Sequence, residues 1–430
     1  MLQREMEPFA QRAIMLAAMT RQDYTGLMDG PDLATLARRY LDLWERQAPW
    51  PMPARQQQRR MPPGSCRLPC RASCRRRKGK AMNQETAQTA IPKTTRIGPR
   101  PLGLHLSTAM SAMMSSLAAL PSARNGSLPW QQELAEAAAD LRAALEEAEP
   151  AALFQAVSGE CQARLGAMLA GVQAYQDAPR ADRDWVIGRE IWRQGTTRLL
   201  DYGGDGRPVL FVPSLVNGAE VLDLTPDRGM LGWLRRNGHR PFLVDWGAPG
   251  AAELEFSLTD YVCDRLGQVL DTVIAASTEA PALVGYCMGG NLALALALRR
   301  QEDLSGLALL ATPWDFHGGG QQWPEIETLA PGLDDILKAF GALPIDVLQA
   351  LFAALDPGLA QRKFRHFATL DADGAEAAHF VALEDWVNDG VPLAPKVARD
   401  CLLGWYGHND TFEGRWSIDD IVVDPSALER

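Results

Sequence analysis

Gly285-Tyr286-Cys287-Met288-Gly289-Gly290 sets a thiol between glycines two residues before it and two after it. An apolar run, Ala282 to Val284, leads in, and a Leu/Ala-rich helical run, Leu292 to Leu298, leads out. The pattern is that of a strand-to-helix nucleophile elbow with cysteine where serine usually stands. Such a turn exposes its central side chain at the C-terminal edge of a sheet, and Gly285 and Gly289 allow the close backbone approach it needs. The following helix points its N-terminus at the thiol, which predicts a lowered thiol pKa and a nucleophilic thiolate at Cys287. The chemistry this would support is acyl transfer through a covalent thiol nucleophile. The plainer reading is a buried free cysteine in a tight turn.

Acyl transfer also needs N–H donors for the tetrahedral oxyanion. The residue after the nucleophile, Met288, supplies one, and the loop Pro213-Ser214-Leu215-Val216-Asn217 after an earlier strand supplies another, assigned to the Val216 N–H with Leu215 as fallback. A thiol that acts repeatedly as nucleophile and leaving group needs a general base. Of the six histidines, His105 lies in a helical region, His239 begins a strand at its inactive end, and His366, His379 and His408 fall in a later inserted region. His317, on the loop after Leu307 to Leu310, is the best substitute base, and Asp315 on the same loop is expected to satisfy local N–H groups.

These residues need a parallel sheet to position them. Pro208 to Val212, Pro241 to Val244, Ala282 to Val284 and Leu307 to Leu310 each read as a buried strand, with helices expected around Gly229 to Arg236 and Thr259 to Ala276. After Pro313 the alternation stops, and helices at Leu333 to Phe340 and Ile345 to Leu355, followed by an irregular Trp-rich stretch, read as an inserted cap. Its aromatic residues Trp314, Trp323, Phe340, Phe352, Phe364 and Phe380 fit cap core, an apolar tunnel or a homodimer contact. Upstream, Leu134, Leu141 and Leu145, then Leu153, Val157, Cys161, Leu165, Met168 and Val172, form the stripes of two amphipathic helices.

At this point the residues carry a resemblance. Val212-Pro213-Ser214-Leu215-Val216-Asn217 with Leu222-Asp223-Leu224, then Leu243-Val244-Asp245-Trp246-Gly247, the cysteine elbow, Ala311-Thr312-Pro313-Trp314-Asp315-Phe316 and Trp386-Val387-Asn388-Asp389-Gly390 follow the order of the polyhydroxyalkanoate synthase family. From about Thr196 onward the chain resembles that family, and Arg100 to Gly195 does so only loosely. The resemblance implies an α/β-hydrolase fold and an acyltransferase. Cys287 would take a 3-hydroxyacyl group from coenzyme A as a thioester, and a hydroxyl of the growing polyester would attack it. The substrate would be the CoA thioester, with no cofactor and no metal. The family's catalytic Asp and His, on loops after the last two core strands, have no counterpart before Arg430. The expectation is therefore a sheet without its C-terminal core strands, in a chain either truncated or inactive. A Cys-dependent hydrolase of acyl-CoA thioesters or polyesters is the alternative, and a non-catalytic protein seated on polyester granules is a third.

The resulting division is 1–53, a helical segment of unknown role; 54–96, a basic disordered linker; 97–195, a helical accessory region; 196–317, the α/β core; and 318–430, the cap and the start of an incomplete core. The 430 residues are 47% hydrophobic and 22% charged, a core-forming composition that excludes wholly disordered and collagen-like classes. The longest weakly polar run, Met110 to Leu120, is shorter than the roughly 20 residues a bilayer requires. With no convincing secretory signal, a cytoplasmic protein is expected, with the polyester granule surface as a further location. The net charge of −10 hides a stretch from Ala54 to Lys80 that holds ten Arg or Lys and no acid. It reads as a solvated linker, nucleic acid being an unfavoured partner for want of interleaved aromatics. Its Cys66, Cys70 and Cys74 lack a fourth metal ligand. A sheet ending at an exposed edge invites association, so the 430-residue chain is expected to be poorly soluble or stabilised by self-association. Light scattering that found a cooperatively melting monomer would overturn this.

Overall fold

In the chain's central region four apolar runs lie side by side, because their backbone groups are satisfied by neighbouring strands; the three inner runs are mostly buried, and the fourth, at the edge, is partly exposed. The computed structural model describes residues 32–47, 96–180, 188–318 and 326–429. The strands are β1 (Arg189–Gln194), β2 (Thr197–Asp201), β3 (Arg207–Val212), β4 (His239–Asp245), β5 (Ala282–Tyr286) and β6 (Gly306–Leu310). Their spatial order is β1-β2-β4-β3-β5-β6, with β4, β3, β5 and β6 parallel and β1 and β2 antiparallel additions at one edge. Alternation divides the sheet's side chains between two cores. Leu210, Val212, Phe242, Val244 and Leu283 enter one, and Val209, Phe211, Leu243 and Val284 enter the other.

Two compact units are present. Residues 32–47 and 115–161 form the first. The helix Leu33–Arg46 is capped by Asp32, whose carboxylate accepts from the Ala34 and Thr35 amides, and its buried Tyr40 donates to the Ser116 carbonyl at 2.6 Å. Ala135–Glu147 contributes Ala138, Leu141 and Leu145 to the interior. The second unit holds residues 96–114 and everything described from residue 162 onward, the sheet included. The units thus cut across the sequence division at 53 and 97. The expected linker 54–96 lies, apart from Arg96, outside the described residues, as do residues 1–31, Cys66, Cys70, Cys74 and Trp323.

The structure adds elements to the sequence reading. The hairpin of β1 and β2 turns at Gly195, which has a φ of +59°. The stretch after Leu355, read as irregular, contains the helices Leu359–Phe367, Ala375–Asn388 and Pro395–Arg399, the last running on into the π-helical turn Asp400–Gly407. The Trp416 to Asp424 segment folds as a ribbon of Ser417–Ile418 against Ile421–Val422, apart from the main sheet. The described sheet therefore ends at β6, where Ala308 and Leu309 are exposed. Among the described residues no helix is long and apolar enough to cross a membrane.

Within the second unit a separate core joins the C-terminal part of the helix Pro150–Asp177, from residue 162 on, to the cap. Met168, Val172 and Tyr175 pack with Phe364, Phe367, Ala377 and Val381. A strap beginning at Arg96 is tied to the same region, since Arg96 and Tyr175 both reach the Asp385 carboxylate and Arg100 pairs with Asp346 at 2.9 Å. The helices touch at Gly171, where a Cβ would stand 1.9 Å from the Phe364 carbonyl oxygen. Gly171→Ala is expected to cost about 1–3 kcal/mol through forced separation of the helices. Gly159, on the same helix with nothing near its missing Cβ, should gain about 1 kcal/mol on replacement by alanine. Urea denaturation of both variants checks the contrast, and equal effects would overturn it.

Candidate active site

Cys287 stands between β5 and the helix Met288–Arg299 with a φ of +53°, a conformation L-residues rarely adopt. Three backbones converge to hold it there. Its amide donates to the Leu310 carbonyl of β6 at 2.8 Å, and its own carbonyl accepts from Gly290 at 2.8 Å. A Cβ on Gly289 would lie 2.2 Å from the Val212 oxygen and 2.4 Å from the Pro213 oxygen, and one on Gly285 would lie 2.3 Å from the Gly290 Cα. The glycine spacing read from the sequence is thus a contact requirement. The register Val212↔Gly285 sets the loop after β3 beside the thiol, and Tyr286↔Leu310 sets the loop after β6 on its other side.

The thiol's environment corrects one expectation. Burial pushes the Cys287 thiol above the ordinary cysteine value, and a hydrogen bond from the Met288 amide only partly opposes this. The helix N-terminus supplies the stabilising N–H, but desolvation of the thiolate outweighs it. The sequence could not carry that term, because the burial comes from elements distant in the chain.

Of the two oxyanion donors, Met288 follows the nucleophile at the first turn of its helix. The Val216 amide is already engaged, donating to the buried Ser214 Oγ at 3.1 Å. An oxyanion there would have to displace that hydroxyl, so the assignment moves to the fallback, the Leu215 N–H. The local signal was available in a serine two residues before Val216, the usual spacing for a side chain that closes its own turn. The loop is pinned on both sides. Trp246 Nε1 donates to the Pro213 carbonyl at 3.0 Å, Val391 N to the Val216 carbonyl at 3.0 Å, and Trp386 Nε1 to the Gly218 carbonyl at 2.8 Å.

His317 follows β6 as expected, but its ring is turned to the cap, with Nε2 3.0 Å from the Tyr406 carbonyl oxygen. A carbonyl only accepts, so Nε2 is the donor of that bond. No hydrogen bond among the described residues joins this exposed ring to the Cys287 thiol. Asp315 acts locally: its Oδ1 accepts from the His317 amide at 3.0 Å and from Asn409 Nδ2 at 2.8 Å, while Asn409 Oδ1 takes the Phe316 amide. It therefore does not orient the imidazole. Tyr406 itself was not found from the sequence. Its hydroxyl is pushed up to about 12 by burial and then by the nearby Cys287 and Cys401 thiols, so it stays a proton donor across the physiological range. It packs edge-on against Phe316 at 4.6 Å. No spacing rule links Tyr406 to Cys287, because the intervening cap alone brings them together. Among the described residues no group of three or more His, Cys, Asp or Glu is disposed to hold a metal ion.

A buried thiol with a raised pKa is protonated at neutral pH and gains reactivity only as pH climbs. Iodoacetamide labelling of Cys287, followed by peptide mass spectrometry against pH, should show a midpoint above the roughly 8.5 of a free cysteine. A midpoint below that value would mean that the helix terminus wins over burial.

Residues 207–341 match the alpha/beta hydrolase fold family. The poly(3-hydroxyalkanoate) polymerase subunit PhaC of Haloferax mediterranei is 28% identical over 250 residues, covering 56% of this chain and 50% of that protein. The corresponding subunit of Haloarcula marismortui is 29% identical over 223 residues, covering 50% and 46%, and that of Synechocystis sp. 29% over 224, covering 50% and 59%. The chain spans about half the length of these curated relatives. It has an alpha/beta hydrolase fold and is homologous, over about half its own length, to the poly(3-hydroxyalkanoate) polymerases.

Proposed function

We propose that the chain is a polyhydroxyalkanoate synthase-like acyltransferase. The observation that carries this is Cys287 held at positive φ on a strand-to-helix elbow, with the loop after β3 set beside it by the Val212↔Gly285 register; in this reading the Met288 and Leu215 amides serve as the oxyanion donors. Homology to the poly(3-hydroxyalkanoate) polymerases supports the substrate class.

In this reading the Cys287 thiol loses its proton to a base and its sulfur attacks the thioester carbonyl of a 3-hydroxyacyl-CoA. The tetrahedral oxyanion takes hydrogen bonds from the two amides, the carbon–sulfur bond to coenzyme A breaks, and CoA thiolate leaves. The base passes its proton to the departing CoA thiolate and then takes the proton of a hydroxyl at the polyester end, which attacks the Cys287 thioester, forming an ester bond as the carbon–sulfur bond breaks and the Cys287 thiolate is released. The raised thiol pKa makes the base necessary rather than optional. In this reading His317, on the loop after β6 with its Nε2 on the Tyr406 carbonyl, is the residue assigned to that role. The exposed Phe340 and Phe352 of the cap suit contact with an apolar polyester surface or a second copy of the chain.

Coenzyme A release from 3-hydroxybutyryl-CoA tests this directly. Cys287→Ala is expected to lower it by about a thousand-fold or more, with polymer as the wild-type product. Release that is undiminished in the variant would remove Cys287 from the reaction, and free 3-hydroxybutyrate as sole product would put water in place of the polyester hydroxyl.

A further inference from the structure

Against the loop after β3, which separates it from the elbow, and along the end of β4 lies a cavity of about 1050 Å³ with no elbow residue in its lining. Its inner wall is the loop after β3, including Ser214 and Leu215, and this loop's Pro213 carbonyl is what Gly289 of the elbow touches. Trp246 closes it along the end of β4, and Phe367, Val381 and Trp386 of the cap form the outer wall. The volume is at the upper end of small-ligand sites, which run about 300–1,000 Å³, so it exceeds the needs of a single hydroxyacyl group.

The charge of the lining selects among the parts of the reaction's participants. Six carboxylates and two arginines border the cavity. Both arginines are spent, Arg198 on Asp245 at 2.6 Å and Arg180 on Asp389 at 3.7 Å, while Asp385 is held by Arg96. Asp177, Glu220 and Asp373 have no basic partner among the described residues. A cavity with surplus negative charge repels the phosphates of a coenzyme A nucleotide, and its apolar walls favour an uncharged chain.

We propose that this cavity is the binding site for the uncharged, ester-linked chain of the growing polyester, and that the nucleotide of the acyl-CoA donor lies outside it. The inference rests on the acyl-transfer reading and adds to it a division of the site, with the polymer on the β4 side of Cys287. The chain enters past Trp246 and Trp386 and brings its terminal hydroxyl to the wall that carries Leu215.

The test uses the whole chain and a linear 3-hydroxybutyrate tetramer protected as its methyl ester. Titration calorimetry should detect binding, and coenzyme A added in excess should not displace the tetramer. Ala378→Phe, at an exposed lining position on the cap side, and Ala248→Phe, on the opposite wall, should each weaken binding at least tenfold while the melting temperature holds. The free-acid tetramer, with its extra negative charge, should bind more weakly than the ester. Failure of the ester to bind, its displacement by coenzyme A, or unchanged affinity in both folded variants would overturn the proposal. Acylation of wild-type Cys287 by 3-hydroxybutyryl-CoA is followed in parallel by mass spectrometry. Acylation without tetramer binding sinks this inference alone, and no acylation sinks the function on which it rests.

Discussion

The site depends on one contact between backbones. At Gly289 the helix that follows Cys287 comes so near the Val212 and Pro213 carbonyl oxygens that no Cβ fits. That approach presents the helix N-terminus, the Met288 amide and the loop after β3 to the same small volume. It also forces Cys287 to a positive φ, a strain the sheet repays through the Leu310 carbonyl on one side and the helix on the other. A side chain in place of either hydrogen would push the loop and the elbow apart and separate nucleophile from oxyanion donors together.

The cap stabilises the same arrangement from outside. Its backbone and indole N–H groups reach the carbonyls of Val216 and Gly218, so the loop after β3 is fixed by the sheet and by the cap at once. On the β6 side Asn409 bridges Asp315 and Phe316, and the Tyr406 carbonyl holds the His317 ring. Cap and elbow therefore cannot move independently near the thiol. The cost is desolvation: the cover that positions these groups also buries the thiol and raises its pKa, which makes proton removal a demand of the chemistry.

Away from the thiol, the cap is joined by apolar packing of Met168, Val172 and Tyr175 against Phe364, Phe367, Ala377 and Val381, and ion pairs are set into and beside that contact. Arg96 on Asp385 and Lys363 on the buried Glu384 both place charge where solvent is scarce. Such pairs add little net stability over apolar packing, yet breaking one partner leaves an uncompensated buried charge. They set the orientation of the Ala375–Asn388 helix, which carries one wall of the cavity against the loop after β3.

Much of this was legible in the chain. Four strands of the parallel sheet, the strand-to-helix elbow with its glycines and the local task of Asp315 followed from apolar runs and turn chemistry, which act over a few residues, although β6, expected to be buried, is half-exposed at the sheet edge. The strand β1 escaped because its side chains are mainly exposed and its register is broken between Glu190 and Trp192. The Ala375–Asn388 helix escaped because two of its inward positions are Glu384 and Asn388, so its apolar stripe is interrupted by polar residues satisfied elsewhere in the fold. The occupied Val216 amide had a local signal in Ser214. The position of Tyr406 near the thiol, the ring orientation of His317 and the direction of the thiol's pKa had none. Those properties are sums over neighbours brought together by packing. Local sequence determines which turn the backbone makes, whereas burial, charge and ring orientation at that turn are decided by what the rest of the chain lays over it.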